Sequence, residues 1–167
     1  MISPLRGIFA AMSLFVAAAA PAAVQDFSSQ SWQCAPFARE FSGIQLFGAA
    51  ASWWTQAEGH YARGSMPQVG AVLSFQATGH MRSGHVAVVS EVVSERVIKV
   101  THANWSPING RRGQIERDVE VMDVSPANDW SKVRVWYAPV ADLGTGAYPT
   151  NGFIYSQAPK LTLASVN

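Results

Sequence analysis

GHVAVVSEVVSERVIKVTHANW, residues 84–105, is the stretch that decides the fold. Val, Ile and Thr recur through it, and such β-branched side chains lose rotamer freedom in a helix but pack well on a pleated sheet. Two apolar runs, residues 86–93 and 97–101, flank the polar Ser94-Glu95-Arg96, which predicts an antiparallel hairpin. Side chains alternate between faces along a strand. His85, Ala87 and Val89 therefore share one face of the first strand, and His102 and Asn104 share one face of the second. With Ser94 and Glu95 as a two-residue turn, Val93 pairs with Arg96, His85 lies opposite Asn104, and His102 is diagonal to it. A turn at Glu95-Arg96 keeps the three polar side chains together, whereas a one-residue slip sends His85 to the opposite face.

Outward from the hairpin, residues 72–75 and 133–137 have the same β-branched and aromatic character. A further strand fits within 111–121, after an excursion entered through Ser106-Pro107 and Asn109-Gly110. Upstream the pattern is helical. A helix over 32–41 places Pro36 in its first turn, where the missing N–H costs nothing, and Gly43 supplies its stop. Ser28, Ser29 and Ser31 offer capping oxygens before it. A second helix over 49–58 carries Trp53 and Trp54 and closes at Gly59, and residues 61–67 read as loop. The stretch from Ala141 onward contains Gly144, Gly146, Pro149, Asn151-Gly152 and Pro159 without a clear period, and is expected to be a disordered tail. The chain thus divides into a helical front and a β back half, with no internal repeat.

At the N-terminus, Arg6 precedes an uncharged run, residues 7–20, that is shorter than the roughly 20 apolar residues of a membrane span. The run ends at Ala20-Pro21-Ala22, the small-residue pattern of a signal-peptidase site. Residues 1–22 are therefore expected to be a secretory signal and 23–31 a lead-in. Residues 32–140 are expected to form one domain and 141–167 the tail. The expected location is the periplasm or the extracellular space, with no stable membrane anchor after cleavage. Lys and Arg number 12 against 11 Asp and Glu, so nothing electrostatic points to nucleic acid. Charged residues make up 14%, while six Trp and eight Phe supply large apolar surfaces that could fill a core or line a groove.

An exported chain normally uses cysteines in pairs, yet Cys34 stands alone, so no intramolecular disulfide can form. Burial, intermolecular pairing and catalysis each explain such a thiol. Its place at a helix start favours the third, because free backbone N–H groups there stabilise a thiolate and can also hold an oxyanion. A cysteine nucleophile needs an imidazole to exchange its proton. His60 and His80 lie in Gly-containing loops and are expected to be solvated, whereas His85 and His102 stand on neighbouring strands. Cys34, His85 and His102 could alternatively ligate zinc, although they lack the close ligand pairs of zinc motifs.

Several fragments in order resemble the CHAP family, the cysteine, histidine-dependent amidohydrolases and peptidases. They are Cys34-Ala35-Pro36-Phe37-Ala38-Arg39, the Trp53-Trp54 helix, Pro67-Gln68-Val69-Gly70-Ala71-Val72, Gly84-His85-Val86-Ala87-Val88-Val89 and His102-Ala103-Asn104-Trp105. The resemblance implies a papain-like α+β fold with N-terminal helices packed on an antiparallel sheet. It also implies Cys34 as nucleophile, His85 as base and peptide or amide bonds of bacterial peptidoglycan as substrate, with no cofactor or metal. Many family members carry Glu where this chain has His102. The residue behind His85 is therefore either His102 or Asn104, with Asn104 favoured as in papain-like triads. Trp105, beside Asn104, is the best aromatic candidate for the substrate groove. Peptidoglycan is the expected partner of a monomeric chain. A module on the same fold that binds peptidoglycan without cleaving it is the alternative.

Overall fold

The computed structural model describes residues 30–156. In chain order it has α1 (Cys34–Ser42), a 3-10 turn (Ala50–Ser52) running into α2 (Trp53–Gln56), and the strands β1 (Ala62–Gly64), β2 (Val72–Phe75), β3 (His85–Val92), β4 (Val97–Ala103), β5 (Ile115–Asp123) and β6 (Lys132–Tyr137). A second 3-10 turn (Ala138–Val140) precedes β7 (Asp142–Leu143) and β8 (Tyr148–Tyr155). All strand pairings are antiparallel. The sheet runs β8-β2-β3-β4-β5-β6, and β6 pairs back onto β8 through Lys132 with Pro149 and Val133 with Tyr148, closing a six-stranded barrel. β1 is added to β8 and β7 to β6.

This architecture overturns the expected α+β papain-like arrangement of N-terminal helices on a sheet. The molecule is mostly antiparallel β, and among the described residues the only α-helices have nine and four residues. Helices this short are not stable by themselves and depend on packing. Residues 49–58 yield only one turn of α-helix after a 3-10 turn, with Ser52 and Ala57 as its flanks. No described side chain caps α1, whose N-cap is Gln33 rather than one of the expected serines.

Residues 142–143 and 148–155 of the expected disordered tail are strands instead. Phe153 and Ile154 are fully buried, and Tyr155 nearly so, because β8 lies between β2 and β1 at one end and touches β6 at the other. Its turn-like residues hid it. Asn151-Gly152 falls at a register shift in the β2 pairing, where Ser74 faces Gly152 and Phe75 faces Thr150. Bulges of this kind bend a strand and help a sheet to close. The proposed signal, residues 1–22, the lead-in as far as residue 29 and the segment beyond residue 156 lie outside the described residues.

Alternation sorts the apolar side chains into two cores. Leu73, Phe75, Ala87, Val89, Ile98, Val100, Val121, Val133, Val135 and Phe153 fill the barrel. Val72, Val86, Val88 and Ile154 point outward and are covered by Ala35, Ala38 and Trp53 from the helices. The β3–β4 ladder reaches the expected register by an unexpected route. Near the turn Val92 pairs with Ile98 and Glu91 with Lys99, one residue out of the expected register. An irregularity at Ser90 absorbs the difference, so Val89 faces Val100 and Val88 faces Thr101 as predicted. His85 and His102 consequently share the barrel's inner face.

Candidate active site

Cys34 is the first residue of α1, and Gln33 before it is extended (φ −92°, ψ 152°). The first intrahelical bond runs from Phe37 N–H to the Gln33 carbonyl, which leaves the N–H groups of Cys34 and Ala35 without helical acceptors. These two and the Val86 N–H act on the thiol and lower its pKa, but burial acts more strongly and holds it above the usual cysteine value. The helix start thus opposes the cost of a thiolate without overcoming it. Cys34 rests as a thiol.

His85 opens β3 directly after Gly84, which has φ +65°. A Cβ on Gly84 would lie 2.7 Å from Ala51 N, 2.8 Å from Ala51 Cα and 3.0 Å from the Phe75 carbonyl oxygen, all backbone atoms. Ala51 N–H also donates to the Ser83 carbonyl, so the turn before His85 is clamped against the 3-10 turn. Gly84→Ala should cost about 3 kcal/mol or more from strain and overlap together, lowering the melting temperature by about 10 °C. Gly43→Ala is the control in thermal melts: Gly43 also has positive φ, but its added Cβ would meet nothing within 4 Å, and it should cost only about 1 kcal/mol.

The His85 ring is buried, with the Phe75 ring at 5.3 Å and the Trp105 ring at 4.8 Å between centroids. Its Nε2 lies 3.0 Å from His102 Nδ1. Burial, with smaller contributions from His102 and Arg112, holds its pKa well below the ordinary imidazole value. His102 is fully buried, and burial takes its pKa down to about 3. Both imidazoles are therefore neutral at pH 7.

Asn104 takes a different place from the one expected. Its φ of +65° ends β4 at Ala103 and turns the chain out of the ladder. Its amide Nδ2 then donates to Gln33 Oε1 at 2.8 Å, tying β4 to the residue before Cys34. His102, not Asn104, stands behind His85. The turn residue Asn104 could have warned of this, since Asn tolerates left-handed backbone.

Cys34, His85, Asn104 and Trp105 line one groove of about 430 Å³. Trp105 is otherwise core, stacked on His102 with its Nε1 donating to the Trp136 carbonyl. His60 is exposed as expected, whereas the exposed His80 also lines the groove. The sequence reading missed Tyr137 and Tyr148, which complete the groove, the latter because it belongs to the misread tail. Arg112 is the one permanently charged side chain among the described lining residues, and it donates to the Trp105 carbonyl. No group of three His, Cys, Asp or Glu among the described residues is arranged as a metal site, so the zinc reading of Cys34, His85 and His102 gains no support.

The family model of the CHAP domain matches residues 25–104. The chain carries a CHAP domain. That match spans α1 to β4 and ends at Asn104, so it contains the whole Cys34, His85 and His102 constellation, while β5 to β8 lie beyond it. No curated protein matches the chain in sequence. CHAP domains relate the chain to peptidoglycan hydrolases and to cysteine- and histidine-dependent amide hydrolysis.

Proposed function

We propose that this CHAP domain cleaves amide or peptide bonds of bacterial peptidoglycan, with Cys34 as nucleophile and His85 as general base. The observation that carries the reading is the orientation of His85: its Nε2 is engaged by His102, and the same ring lines a groove with Cys34. That leaves Nδ1 as the nitrogen available to the thiol. Because both groups rest neutral, attack is a general-base step. The Cys34 proton passes to His85 Nδ1 as sulfur bonds to the carbonyl carbon. The Cys34 and Ala35 N–H groups, which have no helical acceptors, are the donors that would hold the resulting oxyanion. Collapse breaks the C–N bond, His85 returns the proton to the departing amine, and water then hydrolyses the thioester with His85 again as base.

Export to the periplasm or beyond is the setting we propose, since the substrate lies there. No helix among the described residues is long and apolar enough to cross a membrane. The test is incubation of the native protein with purified peptidoglycan, followed by mass analysis of the released fragments. New carboxylates on the sugar strand identify an N-acetylmuramoyl-L-alanine amidase, and new free ends within the peptide identify an endopeptidase. Alkylation of the thiol should stop either. Binding to peptidoglycan with no fragments released would instead make the domain a binding module, and would overturn the proposal.

A further inference from the structure

Behind His102 stands a buried carboxylate that belongs to no part of the proposed reaction. Glu116 on β5 is directly opposite His102 in the β4–β5 ladder, so their side chains share the barrel's inner face. Glu116 is 6% exposed. Its Oε1 accepts from Ser106 N–H at 2.7 Å and lies 3.9 Å from His102 Nε2. Glu116 Oε2 and His102 Nε2 are both buried with no hydrogen-bond partner among the described residues. A carboxylate in such a place costs stability, and a neutral side chain of the same shape would fill the site more cheaply.

We infer that Glu116 is a positioning residue for His85, acting through His102 by fixing which ring nitrogens carry protons. The inference rests on the proposed role of His85. A neutral imidazole has one N–H, and a carboxylate beside Nε2 favours placing that proton on Nε2 of His102. His102 Nδ1 is then a bare acceptor, so the 3.0 Å contact must be filled by an N–H on His85 Nε2. This leaves His85 Nδ1 unprotonated and ready to take the thiol proton. The opposite tautomer of His102 would donate from Nδ1 to His85 Nε2 and force the His85 proton onto Nδ1, where it blocks the base. When His85 becomes imidazolium during attack, the Glu116 charge also compensates it across His102.

The titratable and charged groups facing His85 are Cys34 from α1, His102 from β4 and Arg112 before β5, with His80, Tyr137 and Tyr148 around the shared groove. Arg112 disfavours the imidazolium, so Glu116 is the carboxylate placed to oppose it.

Glu116→Gln tests this, because it removes the charge while keeping an oxygen for Ser106 N–H. In ¹⁵N-imidazole spectra the native protein should show His102 protonated at Nε2 and His85 bare at Nδ1. The variant should lose that preference, and its His85 titration should move to lower pH by about half a unit or more. On peptidoglycan fragments kcat should fall about tenfold with KM little changed. The acid limb of the pH profile should shift down with the His85 titration, and Glu116→Asp should recover part of both. Melting temperature should hold or rise in Glu116→Gln, the reverse of a structural contribution. Unchanged tautomers and titration would overturn the inference, and so would a fall in kcat that merely follows a loss of stability. The spectra are read on the protein alone, so a native chain without hydrolytic activity would defeat the proposed function and leave this result separately decided.

Discussion

Cys34→Ala should leave a folded protein whose release of peptidoglycan fragments is reduced by about 10⁴-fold or more. Among the described residues that line the groove, Cys34 carries the only thiol. Cys34 is the only cysteine in the chain. The loss should reside in kcat, because the remaining groove still presents Trp105, Arg112 and Tyr148 to substrate. The side chain is only partly buried beside the outer core, so its truncation should cost about 1 kcal/mol. Thermal melts and fragment analysis on the same preparation separate the two effects. An Ala variant that still cleaves at native rates would remove Cys34 from the reaction.

A chain ending at Ala147 should fail to fold. It lacks β8, the strand that joins β2 to β6 and so closes the barrel. Three large side chains, Phe153, Ile154 and Tyr155, leave the cores with it. Each is worth about 1.5–3 kcal/mol in burial, and the ladders to β1, β2 and β6 are lost as well. Together these approach the whole stability of a domain, about 5–15 kcal/mol. Circular dichroism should show no cooperative melt. Phe153→Ala in the full chain, costing about 3–5 kcal/mol, gives the graded version. A truncated chain that melts cooperatively would show that residues 62–143 make a stable open sheet without β8.

Much of the β back half was legible because 72–75, 85–92, 97–103 and 132–137 are rich in β-branched residues, and alternation together with the register set by the turn put His85 and His102 on one face. β8 was not legible. Its Pro149 and Asn151-Gly152 are loop residues by local preference, and only the closure of the barrel makes a bend at that point useful. Asn104 failed for a related reason: a single left-handed residue takes its amide out of the strand's alternation, and no pattern of period two anticipates that. Glu116 could not be paired with His102 from sequence, since the irregularity between Val100 and His102 shifts the β4–β5 register. The family match also stops short of it.

The burial that holds the Cys34 thiol protonated has a consequence for its durability. Peroxides and disulfides react with thiolates, so a cysteine whose burial holds it above the usual thiol pKa presents little reactive sulfur at neutral pH between turnovers. The groove therefore shields its own nucleophile from oxidants, and loss of activity on storage should track the fraction of thiolate as pH rises.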